Sequence, residues 1–150
     1  MLYNLHLHKI KLCVTSHVII QRMPTAITHD IKITVETSYQ QPRVQLPDSD
    51  FTFAYRITIE NHSEQSIKLL KRHWYIIDSL SDKTEVEGDG VVGLQPVLEP
   101  GQSHQYISGC AIRSDLGKMY GTYTMERQSD GKLFEVKIPE FKLIAPFRMN

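Results

Sequence analysis

Three glycines, Gly88, Gly90 and Gly93, carry the spacing G-x-G-x-x-G within the segment Gly88-Asp89-Gly90-Val91-Val92-Gly93. In a dinucleotide-binding fold this spacing works because a strand leads into it and a helix N-terminus follows to meet a pyrophosphate. Here Val91, Val92 and Pro96 follow, so no helix begins and the dinucleotide reading fails. A turn of backbone N–H groups keeps one chemical option, a nest that cradles an anion. Asp89, with Glu85 and Glu87 just before it, would repel that anion, and a plain turn is the simpler expectation.

Arg72-His73-Trp74 is the one cluster that mixes charge with an aromatic. A buried tryptophan contributes so much area that Trp74 is expected between two sheets, with Arg72 and His73 forming part of a surface site beside it. His6 and His8 would place two imidazoles on one strand face, half of a metal site, but no third ligand has a fixed spacing to them. His17, His29, His62, His73 and His104 are scattered. No paired-cysteine or H-E-x-x-H motif is present, so no metal site and no cofactor are expected.

Nucleophilic catalysis has little support. There is no G-x-S-x-G elbow, and Ser108-Gly109-Cys110 falls mid-strand, where a sulfur packs as a small hydrophobe. No carboxylate stands out in an apolar run that would raise its pKa for acid catalysis. Catalytic residues are therefore expected to be absent.

The elements that position these residues read as strands. Ile31, Ile33, Val35, Thr37 and Tyr39 alternate with polar partners, as do Phe51, Phe53, Tyr55, Ile57 and Ile59. Gln40 to Asp50, with Pro42 and Pro47, reads as an irregular connection. Ile67 to Leu80 holds the strand-preferring run Trp74 to Ile77 and reads as a strand with a bulge near Lys71. Ser81-Asp82 makes a turn before a short polar strand from Lys83 to Glu87. Alternating runs at Gln102 to Ser114, Lys118 to Gln128 and Leu133 to Ile144 complete seven strands, the last broken at Pro139. The expected fold is an all-β, seven-stranded antiparallel sandwich of immunoglobulin or fibronectin type III kind.

Length and composition agree. The chain has 150 residues, enough for one domain, and only four alanines against 34 isoleucines, valines and threonines. Basic and acidic residues balance at 17 each, but residues 1–22 hold Lys9, Lys11 and Arg22 and no acid, leaving the rest slightly acidic. That gives no electrostatic reason to expect nucleic acid. No stretch approaches the roughly 20 apolar residues of a membrane helix, so the chain is expected not to be membrane-embedded. Cys13 and Cys110 are too few for a disulfide framework, which suits a reducing cytoplasm. Residues 1–22 read as an N-terminal extension outside the fold, with Met23 a second start and the domain running from 23 to 150.

The segments R-H-W (Arg72 to Trp74), E-V-E-G-D-G-V-V-G (Glu85 to Gly93), Q-P-V-L-E-P-G (Gln95 to Gly101), Y-I-S-G (Tyr106 to Gly109) and G-K-M-Y-G-T-Y-T-M (Gly117 to Met125) resemble the ApaG family. The resemblance runs from about Ile31 to the C-terminal P-F-R. It implies a fibronectin type III-like sandwich, and the label of a cobalt and magnesium efflux protein that bacterial members carry. It also implies reuse as an interaction module in F-box proteins and in a polymerase delta-interacting protein. The family offers no catalytic residues to carry over, though its glycine motif, here Gly88, Gly90 and Gly93, has been suggested to bind pyrophosphate.

Two expectations follow. The leading one is a non-enzymatic module that binds an unidentified protein partner, any link to cation efflux being indirect. The other is a binder of pyrophosphate, a nucleotide phosphate or another small ligand at the Gly88–Gly93 turn. Arg72, His73, Gly88, Asp89, Gly90 and Gly93 are the candidate site residues in either case. A chain started at Met23 should melt within about 5 °C of the full chain, and a larger drop in thermal unfolding would show that residues 1–22 pack on the sandwich.

Overall fold

Strict alternation over long runs lets each strand present one apolar face, and two such sheets bury those faces against each other. The computed structural model describes residues 23–42, 50–80 and 83–146. The extension over residues 1–22 with His6, His8 and Cys13, most of the proline-containing connection, the Ser81-Asp82 turn and the final P-F-R beyond Pro146 lie outside them. Among the described residues the strands are β1 (Thr25–Thr28), β2 (Ile31–Tyr39), β3 (Phe51–Asn61), β4 (Ile67–Asp78), β5 (Thr84–Asp89), β6 (Val97–Leu98), β7 (Ser103–Ile112), β8 (Leu116–Arg127) and β9 (Leu133–Ile144). One sheet runs β1-β2-β3-β7 and the other β5-β4-β8-β9, with β6 also pairing β4. Every pairing is antiparallel.

This is the sandwich expected from the sequence, with two short strands more than the seven. β1 returns from β2 through His29 and Asp30, both at positive φ (50° and 61°), a two-residue hairpin turn built without the Asn-Gly or Asp-Gly pair that announces one. β6 is two residues long and sits between Pro96 and Pro100, too short for periodicity to show.

The inward faces fill one core. Ile31, Ile33 and Val35 of β2 and Phe53, Ile57 and Ile59 of β3 meet Met119, Tyr123 and Met125 of β8 and Val136, Ile138 and Leu143 of β9, all buried. Each such aliphatic side chain contributes about 1.5–3 kcal/mol relative to exposure. Trp74 lies between the sheets as expected, 5.4 Å from the Tyr55 ring and edge-on to Phe141 at 5.8 Å. β9 is not broken at Pro139. Its register slips there, Met119 facing Phe141 while Gly121 faces Ile138, so the inward positions change from even to odd numbers. Proline is tolerated at such an irregularity. At the open side between β2 and β9, a cleft of about 640 Å³ is lined by Met23, Tyr39, Phe141 and Pro146 among others.

Two buried polar side chains fasten the sheet ends. Asn61 donates to the carbonyls of Gln65 (2.8 Å) and Leu98 (2.9 Å) and accepts from the Ser63 amide (3.0 Å), which makes the turn after β3. Asp78, at the end of β4, accepts from the amides of Arg113 (2.7 Å) and Leu80 (3.1 Å) and from the Ser114 hydroxyl. It ties β4 to the chain crossing from β7 to β8. Asp78 follows Ile76 and Ile77 and is 7 % exposed, yet it is not a carboxylate raised for acid catalysis.

Burial alone would push the Asp78 carboxyl up, but the hydrogen bonds from Ser114, Leu80 and Arg113 outweigh it and hold the group below the ordinary carboxylate range. The folded state then binds fewer protons than the unfolded one, so this stabilisation is complete above the ordinary range and is lost as the pH falls through the depressed value. Asp78→Asn places an amide donor against backbone donors and should cost about 2 kcal/mol in urea unfolding at neutral pH. The variant should also lose part of the wild type's acid sensitivity.

Candidate functional site

Leu70 is the extra residue of a β-bulge. Leu69 pairs with Met125 and Lys71 with the adjacent Thr124, so β4 carries one residue more than β8 there. This is the irregularity expected near Lys71. It reverses the facing of everything after it, since a one-residue shift sends each side chain to the other face. Arg72 therefore shares the inward side with Trp74, while His73 and Tyr75 point outward.

The bulge also holds the glycine turn. The Leu70 carbonyl accepts from the Gly90 amide at 2.8 Å and from Gln95 Nε2 at 2.9 Å. Arg72 Nη1 donates to the carbonyls of Asp89 and Gly90, both at 2.9 Å. Gly88 leaves room for that guanidinium, because a Cβ there would stand 2.8 Å from Nη1. Gly90 is needed twice over, for its φ of 60° and because a Cβ would lie 2.2 Å from the Leu94 carbonyl oxygen. Beyond it, Val91 and Leu94 exchange amide–carbonyl bonds of 2.8 and 3.0 Å around Val92 and Gly93. Both central residues have positive φ, 48° and 75°, as a tight hairpin turn of this hand requires. A valine in that region is strained, its branched Cβ crowding the backbone.

The candidate residues thus divide. Arg72, Gly88, Asp89, Gly90 and Gly93 come together in one clamp, and His73 stands on the opposite side of the sheet. There its Nε2 lies 3.2 Å from Glu85 and its Nδ1 2.9 Å from Glu87. In the turn, the amides of Gly90, Val91 and Leu94 are committed to main-chain carbonyls, and the Asp89 and Gly90 carbonyls face the guanidinium. What the turn offers outward is apolar. Val91 is buried, but Val92 is 62 % exposed and Leu94 and Val97 are exposed with it.

Behind the clamp lies a buried tyrosine cluster. The Tyr106 and Tyr123 hydroxyls are hydrogen-bonded to each other, and burial pushes both phenols up, with the nearby Arg72 charge working against that rise. Cys110 is pushed up to about 11, by burial first and the Asp78 charge second, so its thiol is inert at neutral pH. That fits a sulfur that packs. Among the described residues no three of His, Cys, Asp or Glu converge to hold a metal ion, and no helix is long and apolar enough to cross a membrane.

Fold and site together define a two-sheet β-sandwich that displays a clamped, glycine-built hairpin. The ApaG domain model matches residues 32–127, and the chain belongs to the ApaG family. It is 44 % identical to Protein ApaG of Sinorhizobium fredii and 42 % identical to Protein ApaG of Brucella abortus, each over 124 residues that cover 83 % of this chain and 95 % of the relative. The crystal structure of the putative ApaA protein from Bordetella pertussis superposes with a TM-score of 0.73 at 35 % identity, covering 83 % of this chain and 97 % of that one.

Sequence reasoning missed Val92 because nothing in V-V-G announces a left-handed valine. Replacing it with asparagine, which tolerates positive φ, should stabilise the fold by about 1 kcal/mol. Gly90→Ala should instead cost at least about 2 kcal/mol, the sum of backbone strain and a clash with a main-chain oxygen. Urea unfolding of the two variants checks both signs.

Proposed function

We infer that the chain is a non-catalytic binding module that presents the Val92 turn to a protein partner. The observation that carries this reading is a strained, exposed valine at the tip of a hairpin whose base is held by Arg72, Gln95 and the Leu70 bulge. Strain of this kind persists only where the surroundings over-determine it, and it concentrates at binding sites. A rigid apolar tip loses little entropy on docking, which favours recognition by shape. Val92, Leu94 and Val97 supply the contact, and Asp89 with the acids of β5 supplies a charged rim that selects a basic surround.

The reading needs no set of residues assembled for chemistry. The cobalt and magnesium efflux label attached to the family then concerns the partner, with this chain acting on cation handling indirectly and from the cytoplasm. Fold resemblance alone does not assign this role, so the turn itself must be tested.

Affinity capture from native cell lysate should compare the wild type with Val92→Asp and His73→Ala. Aspartate accepts the left-handed backbone and keeps the fold, but it puts a charge into the apolar tip. Partner proteins retained by the wild type and His73→Ala and lost with Val92→Asp are the expected result. Saturable amide shifts of Gly88 to Gly93 with micromolar pyrophosphate, tightened by Asp89→Asn, would overturn it in favour of a phosphate-binding turn.

A further inference from the structure

The bulge that turns Arg72 inward also builds a second surface, on the outer face of the β5-β4-β8-β9 sheet. Three rings line up there. Tyr75 stacks on His73 with centroids 4.4 Å apart and on Tyr120 of β8 at 5.0 Å, with interplanar angles of 27° and 20°. All three side chains are half-buried. Carboxylates flank it on β5, where Glu85 is the register partner of Tyr75 and Glu87 that of His73.

A cation already sits on this face. The Lys83 ammonium lies 4.0 Å from the Tyr75 ring centroid and 3.3 Å from Glu85 Oε1. An aromatic face and a carboxylate thus hold one ammonium between them, the combination that recognises alkylammonium groups in general. Glu87, with its side chain 73 % exposed, stands one outward position along β5, 2.9 Å from His73 Nδ1. Lys83 is itself an exposed residue immediately before β5, so its hold on the ring is a surface contact that a competitor can displace.

We propose that this face is a binding site for a lysine side chain of a basic protein partner, seated over Tyr75 between Glu85 and Glu87, and that Lys83 is its intramolecular stand-in. Charge complementarity selects the occupant. Glu85, Glu87 and Asp89 run along β5, an edge strand that no other described strand covers on its outer side, so an extended basic segment lying there meets carboxylates along its length. The site shares the β5 acids with the rim of the Val92 turn but is read on the Tyr75 ring, so its failure would leave the Val92 reading untouched.

Removing the stand-in should reveal the site. An occupant worth a surface cation–π contact lowers apparent affinity by its own occupancy, so Lys83→Ala should bind N-acetyl-lysine methylamide about three- to five-fold tighter than the wild type. Proton NMR of the full chain should show saturable shifts confined to the Tyr75, Tyr120 and His73 rings. Tyr75→Leu, which keeps bulk but removes the ring, should abolish them, and Glu87→Gln should weaken them. A lysine-containing peptide should bind more tightly than tetramethylammonium. The proposal is overturned if Lys83→Ala shows no saturable shift, if the uncharged norleucine analogue gives equal shifts, or if the Tyr75→Leu shifts persist. Equal affinity for tetramethylammonium and the peptide would also overturn it, because the site would then serve a small amine.

Discussion

One inserted residue, Leu70, governs what the second sheet presents to each side. Were β4 regular through Leu70, it would continue the phase set by Ile67 and Leu69, and Arg72 would point to solvent while His73 turned toward the core. With it, a guanidinium lies at the inner margin of the sandwich, and the freed Leu70 carbonyl gains two donors from the connection that follows β5. A bulge normally weakens a ladder. Here the lost pairing is recovered by the contacts it makes with the glycine turn.

The same inserted residue explains why charge and aromatic rings are found on both sides of one strand. Arg72 uses its inward direction to satisfy two carbonyls that the tight turn leaves without strand partners. Its positive charge also lies close enough to Tyr55, Tyr106 and Tyr123 to oppose the effect of burial on them. On the other side, His73 and Tyr75 become the outward neighbours of the acidic edge. Structural duty and surface chemistry are thus assigned to alternate residues of a single strand.

Much of this was legible in the chain. Period-two alternation marks the long strands, and the apolar run around Trp74 marks the core side. The glycine spacing marks a turn, where Gly90 and Gly93 take positive φ. What could not be read are consequences of long-range contact. Asp78 looks like an ordinary strand-end acid until Arg113 and Ser114, some 35 residues on, arrive to bond it. Nor does the order Arg72-His73 reveal which of the two faces inward, since that depends on whether a residue is inserted upstream. Val92 contradicts local preference, and only the closure between Val91 and Leu94 forces it.

The cleft between β2 and β9 is lined by both Met23 and Pro146, near the two limits of the described domain. Pro24 is fastened there to Val35, and next to Pro146 the Ala145 amide is fastened to Asp115, each by a main-chain hydrogen bond of 3.0 Å. The two limits of the described domain therefore lie at one cleft. Such a module can be spliced into a surface loop of a larger host with little loop-closure entropy, because the host's cut ends need not be pulled apart. Fused in that way, it would hang from its host by two adjacent threads, and its hairpin and acidic edge would need no redesign to travel with it.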